Sequence, residues 1–135
     1  MPERSSIRVM VVDDQRLMRA LIRSNLRYIG CTNVVECADG QEALSECLLR
    51  SPYLIISDMN MPNLDGLGLL RAVRNHPQLK ATPFIMLTSR GDVAVVKQAM
   101  ELGVSSYLVK PFSLVALKRK VEGAIGKIDA ATSSS

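Results

Sequence analysis

Short apolar runs alternate with longer amphipathic stretches along the chain from Ile7 onward. Brief runs rich in Val, Ile and Leu are typical of strands that are buried on both faces of a parallel sheet. Five such runs occur, and they predict strands at Arg8–Val12, Val34–Cys37, Leu54–Ser57, Phe84–Thr88 and Ser106–Val109.

The stretches between these runs have the spacing of helices that bury one face. Met18, Leu21, Ile22 and Ile29 line the first, and Ala43, Leu44, Cys47 and Leu48 line the second. Gly30 and Gly103 stand where helix ends favour glycine, and Asp92 and Ser113 stand where helix starts favour a short acceptor side chain. Regular alternation of strand and helix predicts an α/β fold with a parallel sheet.

The length of 135 residues and the 47% share of hydrophobic residues are suited to one domain with a single core. We expect an N-terminal extension at residues 1–6, the domain at 7–128, and a flexible tail at 129–135, where apolar spacing ends. No run reaches the roughly 18 apolar residues of a membrane span, and no secretory signal precedes the first strand, so we expect a cytoplasmic protein without membrane contact.

Cysteine and charge give weaker indications. The three cysteines, Cys31, Cys37 and Cys47, have no metal-site spacing and are expected to be buried apolar residues. The net charge is +4, and Arg16, Arg19, Arg23 and Arg27 fall along one helix with no acid between Gln15 and Val35. This stripe is either a solvated helix face or a docking surface for an acidic partner, protein or nucleic acid.

The residues just after the predicted strands include several that can perform chemistry. In a parallel α/β sheet, ligands bind at the edge formed by the carboxyl ends of the strands. We therefore expect the side chains that follow the strands to converge there, namely Asp13, Asp14, Asp58, Thr88 and Lys110.

Three neighbouring carboxylates repel one another, so positive charge must neutralise them. Lys110 supplies one charge, and a hard divalent cation such as Mg²⁺ suits an all-oxygen site of this kind. An aspartate carboxylate can attack phosphorus when the charge on the transferred group is stabilised. The pattern indicates phosphoryl transfer, with the Thr88 hydroxyl available to bind a phosphoryl oxygen.

Several motifs resemble the response-regulator receiver family, and within it the single-domain chemotaxis regulators. They are V-V-D-D (11–14), I-S-D-M-N-M-P-N-L-D-G (56–66), L-T-S (87–89) and G-V-S-S-Y-L-V-K-P-F (103–112). The resemblance implies a flavodoxin-like, doubly wound (βα)5 fold. Its five-stranded parallel sheet would have the order 2-1-3-4-5, with helices on both faces.

The resemblance also implies the roles of individual residues. Asp58 is the expected phosphoacceptor, Mg²⁺ is bound by Asp14, Asp58 and the backbone carbonyl of Asn60, and Asp13 acts through metal-bound water. Lys110 bonds the phosphoryl group and forms a cis peptide with Pro111, and Thr88 and Tyr107 form a switch pair.

Two positions depart from the chemotaxis pattern. Met59 replaces an aromatic residue, and Arg90 replaces an acid near the phosphoryl site. The lifetime of the phosphorylated state therefore does not follow from the resemblance.

The function that we expect is that of a two-component response regulator, not an enzyme, with only self-catalysed phosphotransfer and slow autodephosphorylation. A histidine kinase or histidine phosphotransfer protein donates the phosphoryl group, and the face around the fourth helix, fifth strand and fifth helix then binds a target. Because no output domain follows Ile128, the expected targets are proteins such as the flagellar switch. The alternatives are a phosphate sink or a developmental single-domain regulator.

Other functions fit the residues less well. An aspartate-nucleophile phosphatase needs an acid two positions after Asp14, where Arg16 stands. No Gly-rich phosphate loop occurs and aromatic residues are scarce, so we expect no specific DNA binding. A nucleotide-binding effector that uses surface arginines stays open.

Overall fold

The predicted strands are present, each within one residue of its expected bounds at either end. The computed structural model describes residues 3–89 and 92–133, with side chains placed as far as residue 126. The strands are β1 (Val9–Val12), β2 (Val34–Cys37), β3 (Leu54–Asp58), β4 (Phe84–Ser89) and β5 (Ser106–Lys110).

Helices follow the strands in turn. They are α1 (Arg16–Tyr28), α2 (Gly40–Leu49), α3 (Gly66–Asn75), α4 (Val93–Glu101) and α5 (Leu114–Ser133), and a short 3-10 helix, Arg4–Ser6, precedes β1. Because α5 continues beyond Ile128, helix extends into the segment where we expected a flexible tail. The domain bounds of 7–128 stay a prediction.

All strand pairs are parallel, and the sheet order is β2-β1-β3-β4-β5. One apolar cluster joins the sheet to α1 and α5, and another joins it to α2, α3 and α4. Helices therefore cover both faces, which confirms the doubly wound, flavodoxin-like fold with the order 2-1-3-4-5.

The buried faces of the helices agree in part with the apolar spacing. Ile22 and Ala43 are fully buried, as expected, but Leu21 is 49% exposed and Leu48 is 56% exposed. The buried position on α1 belongs instead to Leu26, because the sheet and α5 meet the helix on that side. The prediction for Leu21 and Leu48 was wrong.

The helix ends show which capping predictions hold. Gly30 and Gly103 have φ values of 93° and 88°, the left-handed backbone that glycine adopts most readily. The Ser113 hydroxyl accepts a hydrogen bond from the Ala116 N–H at 3.1 Å, as expected. Asp92 directly precedes α4, but its side chain forms no capping hydrogen bond, so the prediction that this side chain caps the helix was wrong.

The three cysteines are buried and free, as predicted. Burial raises the pKa of the Cys37 thiol to about 12 and that of the Cys47 thiol to about 11. Such thiols are neutral and unreactive at physiological pH. Among the described residues, no helix combines the length and the apolarity needed to cross a membrane.

Candidate functional site

The ends of three strands bring the candidate residues to one edge of the sheet. Asp13 follows β1, Asp58 is the last residue of β3, and Lys110 is the last residue of β5. Since all strands run in the same direction, these positions share what we call the carboxyl edge of the sheet.

Three aspartates form a compact cluster at this edge. Asp13, Asp14 and Asp58 each present a carboxylate oxygen, and these oxygens lie within 4.8 Å of one another. Asp13 is fully buried and Asp58 is 8% exposed, whereas Asp14 is exposed. The cluster therefore faces solvent on one side and protein on the other.

The Lys110 ammonium bridges the two buried carboxylates. Its Nζ atom lies 2.9 Å from Oδ1 of Asp58 and 3.2 Å from Oδ2 of Asp13. One ammonium does not neutralise three carboxylates, so the cluster keeps a negative charge. That charge favours binding of a further cation.

Burial and charge shift the pKa values of the bridging pair. Burial raises the pKa of Asp58, and the hydrogen bond from Lys110 opposes that effect only in part. Burial alone would lower the pKa of Lys110, but the bonds and charges of Asp58 and Asp13 hold it above its usual value. Lys110 is therefore a permanent cation of the site at physiological pH.

Asp13 is held in place by its neighbours in α1 and β2. Its backbone N–H donates to Cys37 O at 3.1 Å, and its Oδ1 accepts from the Gln15 N–H at 2.8 Å. The Arg19 guanidinium donates to its backbone carbonyl at 2.7 Å. These contacts fix the carboxylate that faces Lys110.

The backbone around Asp58 is packed tightly against the start of α3. The Met59 N–H donates to Leu87 O at 3.0 Å, and the Gly66 N–H donates to Met59 O at 2.9 Å. A Cβ atom on Gly66 would lie 2.5 Å from the carbonyl oxygen of Asp58. Only glycine allows this approach, so Gly66 helps to position the strand end that bears Asp58.

Thr88 and Tyr107 lie on adjacent strands beside a common cavity. Thr88 is 1% exposed, and Tyr107 is 39% exposed. The cavity has a volume of about 250 Å³ and is lined by Thr88, Ser89, Asp92, Val93, Val96, Tyr107 and Val109. Space for a rearrangement is therefore present between the two residues of the expected switch pair.

The Thr88 hydroxyl has only weak contacts. It lies 3.4 Å from Oδ2 of Asp92 and 3.4 Å from the Ser89 carbonyl oxygen. Long bonds of this kind are easily exchanged for a better acceptor. The contact with Asp92 was missed by the sequence reasoning, which assigned the Asp92 carboxylate to capping.

Two other expected residues have less structural support. Asn60 is exposed in the loop between β3 and α3, and its role as a carbonyl ligand stays a prediction. Arg90 lies outside the described residues.

Two further positions are described. The Lys110–Pro111 peptide is cis, as the resemblance implied. Met59, which replaces an aromatic residue of the chemotaxis pattern, is 3% exposed.

The arginines of α1 divide into two groups. Arg19 and Arg23 form ion pairs with Glu36 at 3.2 and 2.6 Å, and Arg16 and Arg27 have no ion-pair partner within the described residues. Partial burial would raise the pKa of Glu36, but the bonds from Arg23 and Arg19 hold it below its usual value. Glu36 was not anticipated, because its proximity to α1 depends on the pairing of β2 with β1.

The donor set fits a hard divalent cation. All three clustered side chains offer carboxylate oxygens, and neither histidine nor cysteine belongs to the cluster. Oxygen ligands of this kind suit Mg²⁺, which commonly binds through one or two carboxylates and retains several waters.

Fold and site together match a known class. Residues 9–122 match the response regulator receiver domain family, and the chain belongs to that family. Among its relatives are the chemotaxis protein CheY of Pseudomonas aeruginosa and the chemotaxis protein CheY1 of Helicobacter pylori. The former is 38% identical over 86% of this chain and 94% of the relative. The latter is 37% identical over 91% of this chain and 100% of the relative.

Solved structures agree with the assignment. The chemotaxis response regulator CheY4 of Vibrio cholerae aligns with a TM-score of 0.81 at 33% identity, covering 87% of this chain and 98% of that chain. The signal receiver domain of a signal transduction histidine kinase from Syntrophus aciditrophicus aligns with a TM-score of 0.85 at 28% identity. The alignment covers 91% of this chain and 92% of that chain. The protein is therefore a response regulator receiver domain of two-component signalling, similar to CheY.

Proposed function

We propose that Asp58 accepts a phosphoryl group from a histidine kinase or a histidine phosphotransfer protein. The observation that best supports this role is the 2.9 Å contact between Lys110 Nζ and Asp58 Oδ1 inside the carboxylate cluster. A carboxylate at a partly open edge, beside a fixed cation, is arranged for nucleophilic attack on phosphorus.

In this reaction a carboxylate oxygen of Asp58 forms a bond to phosphorus. The bond between phosphorus and the imidazole nitrogen of the donor breaks, and its electron pair stays on that nitrogen. Lys110 provides a charge-assisted hydrogen bond to the phosphoryl oxygens, because its ammonium already lies beside the nucleophile.

Asp13, Asp14, Asp58 and the carbonyl of Asn60 are the residues that would hold Mg²⁺. When bound, the ion supplies positive charge that offsets the carboxylates and the transferred phosphoryl group. Asp13 would help to hold the ion while its carboxylate remains bonded to the Lys110 ammonium and to the Gln15 N–H.

The phosphorylated protein then binds a protein target through the face formed by α4, β5 and α5. Large apolar side chains are exposed on this face, and they include Val93, Met100, Tyr107, Val109 and Val115. Exposed apolar residues gathered on one face indicate a protein contact. Because the relatives are named chemotaxis proteins, we propose a cytoplasmic role in chemotaxis, with the flagellar switch as the target.

Labelling with acetyl phosphate and Mg²⁺ tests the phosphoacceptor directly. Asp58→Asn should abolish the mass increase of one phosphoryl group. Asp65→Asn is the matched control, because Asp65 lies nearby and caps α3 through a bond that Asn can also form. Equal labelling of the Asp58→Asn protein would show that the nucleophile is another residue.

A further inference from the structure

The Asp92 carboxylate contacts Thr88, the first residue of the expected switch pair. Its Oδ2 atom lies 3.4 Å from the Thr88 hydroxyl, which makes a long hydrogen bond to a charged acceptor. Asp92 directly precedes α4 with φ and ψ of −83° and 47°, and its side chain makes no capping bond to that helix. The contact therefore joins the end of β4 to the start of α4.

A threonine hydroxyl has only one hydrogen to donate. Among the described residues, the acceptors bonded to Thr88 are the Asp92 carboxylate and the Ser89 carbonyl oxygen, each at 3.4 Å. A phosphoryl oxygen on Asp58 would need the same hydrogen. Asp92 and the phosphoryl group are therefore competitors for the Thr88 hydroxyl.

Asp92 also lines the cavity into which the Tyr107 ring would move. The cavity has a volume of about 250 Å³, and three of its other lining residues are valines. Water stabilises a carboxylate, so a ring that covers Asp92 removes part of that stabilisation. The Asp92 carboxylate thus opposes both steps of the proposed switch, the turn of the Thr88 hydroxyl and the entry of the ring.

We propose that Asp92 is a brake on the switch, which holds Thr88 and the start of α4 in the arrangement of the unphosphorylated protein. This inference rests on the proposed phosphorylation of Asp58, and it adds a residue that sets the balance between the two states. Asp92 acts through Thr88 and is a positioning residue. Because its contact with Thr88 is long, the brake is weak, and a closer charged acceptor overcomes it.

Beryllofluoride with Mg²⁺, a non-covalent mimic of the phosphoryl group, is the probe. The amide resonance of Met59, the residue after Asp58, follows its binding. Asp92→Ala should lower the midpoint of the titration by about fivefold, because more of the protein is already in the binding-competent state. Asp92→Asn should lower it by about twofold, since the amide oxygen still accepts a hydrogen bond.

Glu101→Ala is the matched control for net charge. It removes one acid from the other end of α4, where Glu101 is exposed, and it should leave the midpoint unchanged. An equal shift in Glu101→Ala would show a general effect of charge. An unchanged midpoint in Asp92→Ala would overturn the brake, and a higher one would show that Asp92 favours the switched state.

Thr88→Val keeps the shape of threonine without its hydroxyl and tests whether the effect passes through Thr88. In a Thr88→Val protein, Asp92→Ala should change the midpoint by less than about twofold, because the coupled partner is absent. A fivefold effect in this protein as well would mean that Asp92 acts independently of Thr88, and the proposal would be wrong.

The contact is also tested without a phosphoryl group. In the metal-free protein, three-bond couplings to the Thr88 methyl group report its χ1 rotamer. We expect one rotamer in the parent and in Glu101→Ala, and a mixture in Asp92→Ala. Failure of the parent to bind beryllofluoride would contradict the proposed role of Asp58 and the brake with it. Normal binding by the parent, with an unchanged rotamer in Asp92→Ala, would overturn the brake alone.

Discussion

The ammonium of Lys110 lies 2.9 Å from the carboxylate of Asp58, at the ends of two strands that are not adjacent in the sheet. β4 lies between them, so the contact spans the width of a strand across the carboxyl edge. The pair combines the proposed nucleophile with the cation that would stabilise its product.

Lys110→Gln should slow phosphorylation of Asp58 by acetyl phosphate by about a hundredfold, the usual cost of losing one donor to a developing negative charge. It should also lower the free energy of unfolding by about 3 kcal/mol, because Asp13 and Asp58 lose their shared cation. Labelling rates and urea denaturation measure the two effects. Labelling at the parental rate would remove Lys110 from the proposed reaction.

Asp58→Asn should stabilise the metal-free protein at neutral pH by about 1 to 3 kcal/mol, because it removes one of three clustered carboxylates. Burial raises the pKa of Asp58, so the folded state binds a proton that the unfolded state releases. The parent should therefore lose stability as pH rises from the ordinary aspartate range, about 3.9, through the raised pKa in the folded state.

The Asn variant lacks this group and should show a smaller loss over the same pH interval. Urea denaturation of both proteins in the presence of a chelator, at several pH values between acid and neutral, measures the difference. A difference that shrinks as pH rises would contradict the assigned direction of the Asp58 shift.

Gly66→Ala should destabilise the protein by about 2 kcal/mol and slow labelling of Asp58. The added Cβ would lie 2.5 Å from Asp58 O and 2.9 Å from Met59 Cα, and both are backbone atoms that cannot yield easily. Gly123→Ala is the matched control. Its Cβ meets nothing within 4 Å inside α5, so the variant should be more stable by about 0.5 to 1 kcal/mol.

Thermal unfolding ranks these two variants against the parent. If Gly66→Ala were as stable as the parent and labelled equally fast, the close approach of α3 to β3 would not be needed to position Asp58.

Tyr107→Trp should report the proposed switch by fluorescence, because the chain has no other Trp. Phosphorylation should draw the Thr88 hydroxyl from its weak contact with Asp92, and the ring should then move into the adjacent cavity of about 250 Å³. The emission should shift to shorter wavelength on addition of acetyl phosphate and Mg²⁺. The same emission change in a Tyr107→Trp protein that also contains Thr88→Ala would show that Thr88 does not couple phosphorylation to movement of the ring at position 107.

Much of the fold follows from local pattern. The apolar runs located the strands because parallel strands are buried on both faces and are short. The convergence of Asp13, Asp58 and Lys110 followed from the rule that ligands bind at the carboxyl ends of such strands. The strand order came from the resemblance, since periodicity within a strand contains no information about its neighbours.

The details that the sequence missed depend on contacts between distant elements. Leu21 has the spacing of a core residue, but the orientation of α1 against α5 leaves it 49% exposed. Glu36 neutralises Arg23 only because β2 pairs with β1 beside α1. Asp92 is a residue type that often caps helices, yet its carboxylate contacts the Thr88 hydroxyl and forms no capping bond with α4.

Lys110 and Asp13 are 97 positions apart, and their bridge needs both β1 and β5, the first and last strands along the chain, to be in place. During synthesis, Asp58 leaves the ribosome long before Lys110. A growing or truncated chain that lacks β5 therefore presents the proposed acceptor without its cation, and we expect it to be a poor substrate for the proposed phosphoryl donor. If Asp58 is the phosphoacceptor that we propose, its efficient phosphorylation should be restricted to chains in which β5 has joined the sheet.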